Sequence, residues 1–404
     1  MKSLLKELHA QSSLGLIGVI LSVEHVFTFI FWLTERPIHL ILSSSTPAVC
    51  WPLLSFCESL KPSSALLTFM MGLYLALAIG AILSWVLKRY KTGIFLLWVL
   101  LLFKTTLILF DYRLTGNYHY IPTLLTFAFL LVPGRARAMP MTFFVLYFTA
   151  GILKLNSQWL SGAAINDRLI PAFFTRMGVW YVLLLELVFI FLLFARKDRW
   201  FYFLFAQLVI FHLYSWHLTR FFYPCVMLLL LGILLVTRPL QKSEGLIFSW
   251  YQCLRQRSAV VLLVLFVALQ LPQYYIPGEA AITGEGRMYA LIMYDGRTQC
   301  QPHVSIWKKN QDKEDMPLVP PWLLTRTACD PLIFMRLTEK VCSWVEKDPN
   351  ILQVDLNVPI RYQQQEEWKS LVSITDFCRK HLTYSSFFPN SWINKLELSS
   401  DSEQ

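Results

Sequence analysis

Long apolar runs separated by short polar connections dominate the first two thirds of the chain. Several runs approach the ~20 apolar residues needed to cross a hydrocarbon core. The pattern predicts about nine membrane spans, near residues 14–34, 64–87, 92–110, 118–133, 139–155, 177–195, 200–216, 220–237 and 258–276. The fourth, fifth and seventh are short for a straight crossing, so tilted, broken or partly interfacial helices are expected there. After residue 276 the pattern changes. Leu332–Glu346 has helical spacing of apolar residues, and Ile351–Ile360 alternates like a strand. Met288–Tyr294 and Val304–Lys308 are expected to pair across an Asp295-Gly296 turn. Pro317, Pro320 and Pro321 make a loop, and Ser399–Gln404 reads as a frayed tail. The expected fold is therefore an all-α polytopic membrane bundle over residues 1–276. A small extramembrane α/β, β-rich domain over residues 277–404 follows it.

Composition agrees with that pattern. The 404 residues are 55% hydrophobic and only 15% charged, with a mean hydropathy of +0.48. The net charge of +10 would fit nucleic acid, but its distribution argues against that partner. Residues 1–276 hold 22 Lys/Arg against 9 Asp/Glu, whereas residues 277–404 hold 14 against 17. The positive excess belongs to the membrane part, where basic loops are topology signals. One alternating set of loops carries fourteen basic residues, among them Lys2, Lys6, Lys88, Arg89, Arg135, Arg137, Lys242, Arg255 and Arg257. The other set carries seven: Arg36, Lys61, Arg113, Lys154, Arg168, Arg176 and Arg220. The positive-inside rule puts the richer set and the N-terminus in the cytosol, and the segment after residue 276 outside or in a lumen. The first apolar run is too long for a cleavable signal peptide and lacks a small-residue cleavage site. Cys50, Cys57, Cys300, Cys329, Cys342 and Cys378 fall on the predicted outer side, enough for up to three disulfides whose pairing spacing leaves open. Cys225 lies in a span and Cys253 on the cytosolic side. No C-x-x-C pair supports a zinc site.

Ionisable residues inside spans are costly and call for partners or a function. Glu24, His25, Lys104, Glu186 and His212 are so placed. Lys104 is expected to pair with Glu24 or Glu186, either as a lock on the bundle or as part of a proton relay. A second polar group collects toward the predicted outer face: Asp111, Asn117, His119, Lys154, Asn156, Trp159, His212 and His217. Singly, these read as helix caps and interfacial hydrogen-bonders. Together they would suit a flat aromatic ligand entering from lipid. The centre of this reading is Tyr147–Gly162, where an apolar segment runs into Lys154 and a Trp-marked polar turn follows. A partly desolvated lysine is a usable base; the alternative is an amine snorkelling to the interface. There is no Gly-rich phosphate loop, no G-x-S-x-G elbow and no H-E-x-x-H, so hydrolases, kinases and ATP-driven pumps are not supported.

Phe148-Thr-Ala-Gly-Ile-Leu-Lys154-Leu-Asn-Ser-Gln-Trp159 resembles the signature of the vitamin K-dependent gamma-carboxylase family. Cys50-Trp-Pro-Leu-Leu is similar to that family's first outer loop with one residue removed. The spacing from Asp111 to Asn117 and Tyr120 resembles its Asp-to-Asn-His connection, and Phe211-His212 with Pro224 and Met227 resembles the next histidine-bearing segment. Glu285–Met293 looks like the post-membrane segment of the related bacterial HTTM (horizontally transferred transmembrane) domain. The likeness covers roughly residues 10–300.

The resemblance implies a reduced vitamin K or related lipid quinol as cofactor, together with O2 and CO2 and no metal. It implies carboxylation of glutamate in a peptide or protein, with Lys154 as the base that deprotonates the quinol. Asn117 and His119 would join Lys154 in catalysis, and Trp159, His212, Tyr118 and Asp111 would line the quinone site. The family's histidine directly follows its asparagine; here Tyr118 intervenes and the histidine is His119, a shift of about 100° around a helix. The region after residue 276 is also much shorter than in carboxylases of clotting-type proteins. Cys50 is expected to be tied to the soluble domain through Cys300, Cys329, Cys342 or Cys378. A second function class is a non-catalytic membrane protein that binds an exported peptide or partner. An enzyme needs Lys154 facing a lipid-accessible pocket near the histidines, whereas a scaffold would show it in water or salt-bridged, for example to Asp167, with no cavity beside it. A transporter is the third reading, without an inverted repeat to support it.

Overall fold

A computed structural model describes residues 2–43, 47–54, 56–162, 171–219, 222–241, 246–291, 298–310, 312–318, 329–362 and 367–396. Asp167, Arg168, Arg220, Lys242, Pro320, Pro321 and the tail at Ser399–Gln404 lie outside these residues. The first part is a helical bundle: α1 (Lys2–Ala10), α2 (Gly15–Thr34), α3 (Ser64–Val86), α4 (Tyr90–Phe110), α5 (Asn117–Leu131) and α6 (Arg135–Leu153). It continues with α7 (Ala172–Leu187), α8 (Asp198–Thr219), α9 (Tyr223–Thr237), α10 (Leu246–Leu254) and α11 (Arg257–Gln270).

Among the described residues, seven helical segments are long and apolar enough to cross a membrane: Ser12–Thr34, Ser64–Val86, Tyr90–Phe110, Arg135–Leu153, Phe173–Phe194, Tyr223–Leu240 and Arg257–Tyr275. The other two expected spans are the helices α5 and α8. With 15 residues, α5 reaches only ~22 Å, short of a ~30 Å core. The fifth expected span is longer than its apolar run, because the helix begins at Arg135. The sixth is irregular: α7 ends at Leu187 and a 3-10 stretch, Phe189–Phe194, completes the crossing.

The bundle is apolar outside and polar within. Phe69, Phe95, Leu102 and Trp180 are exposed, while Glu24, His25, Lys104, Lys154, Glu186 and His212 are buried. Exposed apolar faces of this extent are untenable in water and ordinary in hydrocarbon. The chain is accordingly a polytopic membrane protein. Small residues allow close packing: a Cβ on Gly18 would lie 2.3 Å from the Trp85 ring, so only glycine lets α2 accept that indole. Beneath the bundle, α1 buries Leu4 and Leu8. Its Glu7 accepts from the backbone of Gly134 and Arg135, both at 3.0 Å, at the start of α6, and pairs with the Arg135 guanidinium at 2.7 Å. Arg135 also donates to the Phe129 and Leu130 carbonyls, which closes the end of α5.

The C-terminal part is a mixed α/β domain with a curled antiparallel sheet: β1 (Thr298–Cys300), β2 (His303–Lys308), β3 (Lys313–Pro317), β4 (Ile351–Tyr362) and β5 (Lys369–Ile374). The order is β1-β4-β2-β3, with β5 also on β4. The alternating Val354, Leu356, Val358 and Ile360 of β4 are buried and share a core with Ile333, Phe334 and Val341 of α12 (Pro331–Val345). Of the expected hairpin between Met288–Tyr294 and Val304–Lys308, residues 292–297 with the Asp295-Gly296 turn lie outside the described residues. β2 pairs with β3 on one side and β4 on the other, and Met288–Ala290 are turn residues. Pro317 ends β3, and that edge strand carries Lys313, Glu314 and Asp315.

The disulfides also differ from expectation. Cys50 pairs with Cys57 inside its own loop, Cys300 with Cys329, and Cys342 with Cys378. The first loop meets the domain through noncovalent contacts. Val49 N–H donates to Asp111 at 3.1 Å, Tyr112 N–H donates to the Val49 carbonyl at 2.8 Å, and the Tyr112 hydroxyl donates to Asp330 at 2.9 Å. Asp330 in turn caps α12.

Non-reducing peptide mapping is expected to recover Cys50 joined to Cys57. A Cys50 peptide linked to Cys300, Cys329, Cys342 or Cys378 would contradict the structure. A second expectation concerns Glu7. Burial raises its carboxyl, but the Gly134 and Arg135 hydrogen bonds and the Arg135 charge outweigh this and hold it below its ordinary 4.5. A depressed carboxylate stabilises above its unfolded value, and that stability is lost as pH falls through the folded one. The docking of α1 should therefore loosen below pH 4.5, seen as faster hydrogen exchange in Lys2–Ala10. Glu7→Gln should cost roughly 1–3 kcal/mol at neutral pH and flatten that acid response.

Candidate functional site

The ionisable residues of the bundle gather in two buried centres. In the first, Lys104 on α4 donates to Glu24 on α2 at 2.8 Å, and Glu24 also accepts from Thr28 at 2.8 Å. The choice between Glu24 and Glu186 for Lys104 thus falls to Glu24. Next to it, His25 Nδ1 and the Tyr74 hydroxyl are 2.6 Å apart. His119, at the start of α5, lies between the rings of Tyr118, Trp32 and Phe31. It is buried, and the Leu114 backbone approaches it outside hydrogen-bond geometry. Among the described residues, His25 Nε2 and the Trp32 indole N–H meet no hydrogen-bond partner.

The second centre is built on the Lys154 stretch. Tyr147, Gly151 and Lys154 recur at intervals of four and three residues, so they share one face of α6. Gly151 lets α7 come close: a Cβ there would lie 2.6 Å from a Leu187 methyl and 3.1 Å from Glu186 Cβ. That approach delivers Glu186, at the end of α7, to the lysine. Lys154 Nζ donates to both carboxylate oxygens, at 2.7 and 2.5 Å, with both side chains buried. Trp159 presents its ring 5.4 Å from Nζ. Asn156 orders the intervening turn by accepting from Trp159 N–H at 2.9 Å and donating to the Leu153 carbonyl at 2.8 Å. From α8, His212 Nε2 lies 2.6 Å from the Tyr147 hydroxyl, and its Nδ1 has no hydrogen-bond partner among the described residues.

The expected single cluster is therefore divided. Lys154, Trp159, Asn156 and His212 come together, whereas His119 and Tyr118 belong with the Glu24–Lys104 centre. Asn117 is buried at the start of α5. Asp111 forms a fully buried ion pair with Arg113 at 2.7 Å and serves the outer loop, so it lines neither centre. His217 is exposed on the bundle surface. Sequence reasoning missed Tyr147 and Tyr74. Tyr147 stands seven places before Lys154, two helical turns along the same face, which was the available signal.

This geometry allows proton exchange. Passing the shared proton from Lys154 to Glu186 converts an ammonium–carboxylate pair into an amine and a carboxylic acid. The described cavity, about 70 Å³, lies between α5, α6, α10 and α11, and none of Lys154, Glu186, Tyr147 and His212 lines it. No protein-family model, no curated protein and no solved structure matches the chain.

The Glu24–Lys104 pair yields a sharp expectation. Lys104→Met leaves a buried carboxylate unpaired and should destabilise the protein by about 3–5 kcal/mol. Adding Glu24→Leu should restore most of that loss, because the paired apolar replacement leaves no orphan charge. Thermal unfolding of both variants in detergent measures the difference.

Proposed function

We propose that this chain is an integral membrane enzyme that takes a proton from a lipid-soluble quinol at Lys154, chemistry of the gamma-carboxylase type. The observation that supports the reading is the buried Lys154–Glu186 pair with the Tyr147–His212 pair beside it. With its proton held by Glu186, the Lys154 amine is the base, and the quinol hydroxyl is a proton source of suitable acidity. Trp159 offers an aromatic face next to the amine. A reduced quinol, once ionised, supplies the reaction with O2 that generates a base strong enough to remove a glutamate γ-proton before CO2 adds. The N-terminus is assigned to the cytosol and the C-terminal domain to the opposite side. Support comes from the fourteen-to-seven loop charge bias and from three disulfides in the outer segments.

One observation favours a second reading, a non-catalytic protein that binds an exported peptide or partner. Lys154 is already salt-bridged, and the cavity described above lies elsewhere in the bundle. The two readings part in one assay on membranes containing the protein, with reduced vitamin K, radiolabelled bicarbonate and a short Glu-containing peptide. The enzyme reading expects quinol-dependent, acid-stable label in the peptide, reduced roughly 10²–10⁴-fold in Lys154→Ala. Glu186→Gln should give a smaller loss. Absence of both peptide label and quinol epoxidation in the wild type would leave the partner-binding reading.

A further inference from the structure

The cavity between α5, α6, α10 and α11 has walls of Ala128, Met141, Trp250, Cys253, Leu263 and Phe266 among others, almost all apolar. A cavity of this character stays dry. One wall is a helix that faces lipid: α11 buries only Phe266 and Gln270 and exposes Val261, Val264, Leu265 and Val267. Hydrocarbon covers the far side of this wall, and a segment of an acyl chain is the apolar group at hand to fill the crevice.

The mouth is basic. Leu254 and Ala259 line the cavity, and the exposed Arg255 and Arg257 stand between them on the α10–α11 turn. Arg255 stacks over Tyr251, its guanidinium 5.7 Å from the ring. The half-buried Arg137, at the start of α6, is close enough for its charge to act on the Cys253 thiol. An apolar slot whose lining residues Leu254 and Ala259 flank two arginines, and whose Cys253 feels the Arg137 charge, has the chemistry of a lipid with an anionic headgroup.

We infer that this crevice is a binding site for an anionic phospholipid, with one acyl chain between α5, α6 and α11 and the phosphate at Arg137, Arg255 and Arg257. Cys253 is part of the wall and not a nucleophile: burial pushes its thiol up to about 11, so the reactive thiolate is scarce. The lipid would also join α11 to the bundle, since protein contacts alone bury little of that helix.

Native mass spectrometry of the full chain, released from nanodiscs of equal phosphatidylglycerol and phosphatidylcholine, tests this. The wild type should retain phosphatidylglycerol in preference to phosphatidylcholine. Arg255→Gln with Arg257→Gln alters exposed side chains and should keep the fold, yet lower phosphatidylglycerol retention by roughly fivefold per arginine. Ala128→Phe, which fills the slot, should reduce retention of both lipids. Equal retention of the two lipids by the wild type would overturn the inference, as would retention unchanged in the arginine variant. A covalent acyl mass on Cys253 that survives denaturation would overturn it too, by assigning the chain to a thioester.

Discussion

An ammonium or a carboxylate in hydrocarbon is tolerable only beside its opposite, and that constraint organises the bundle. Lys104 meets Glu24 and Lys154 meets Glu186, each pair buried between two helices. A pair of this kind adds little net stability against an apolar replacement, but breaking it is costly, so it acts chiefly on arrangement. The two pairs dictate which helices can be neighbours: α2 with α4, and α6 with α7. Histidine and tyrosine then fill the same polar interiors, His25 with Tyr74 and His212 with Tyr147.

The second pair differs from the first in its setting. Glu24 is further satisfied by Thr28, which fixes its charge in place. Glu186 sits where α7 gives way to a 3-10 stretch, and its lysine caps the end of a helix whose glycine makes room for it. Irregular backbone, the Trp159 ring and the Tyr147–His212 pair surround the two.

At the end of the bundle that meets the C-terminal domain the problem is different, because disulfides join the chain there. Three short covalent loops stiffen individual segments, and hydrogen bonds join them. Asp111 neutralises Arg113 while holding Val49, and Tyr112 reaches across to the cap of α12. A single apolar core runs from Val49 and Trp51 through Tyr112 into the sheet, so the first loop and the C-terminal domain bury surface together.

Much of this was legible in the residues themselves. Hydropathy located the helices, because the thickness of a bilayer imposes their length, and alternation located α12 and β4, because helix and strand periods differ. The same pattern marked Lys154, His212, Glu24, Lys104 and Glu186 as groups in need of a partner, since an ionisable side chain inside a span always is. Partnership was beyond its reach. Two lysines and two glutamates admit more than one pairing, and helix packing, with Gly151 admitting α7, made the choice. Packing likewise placed His119 with Lys104 and not with Lys154, joined Cys50 to Cys57, and gave β2 its neighbours. One-dimensional pattern determined which side chains must be hidden from lipid or from water; only three-dimensional contact decided against what, because that choice depends on distances between segments far apart in the chain.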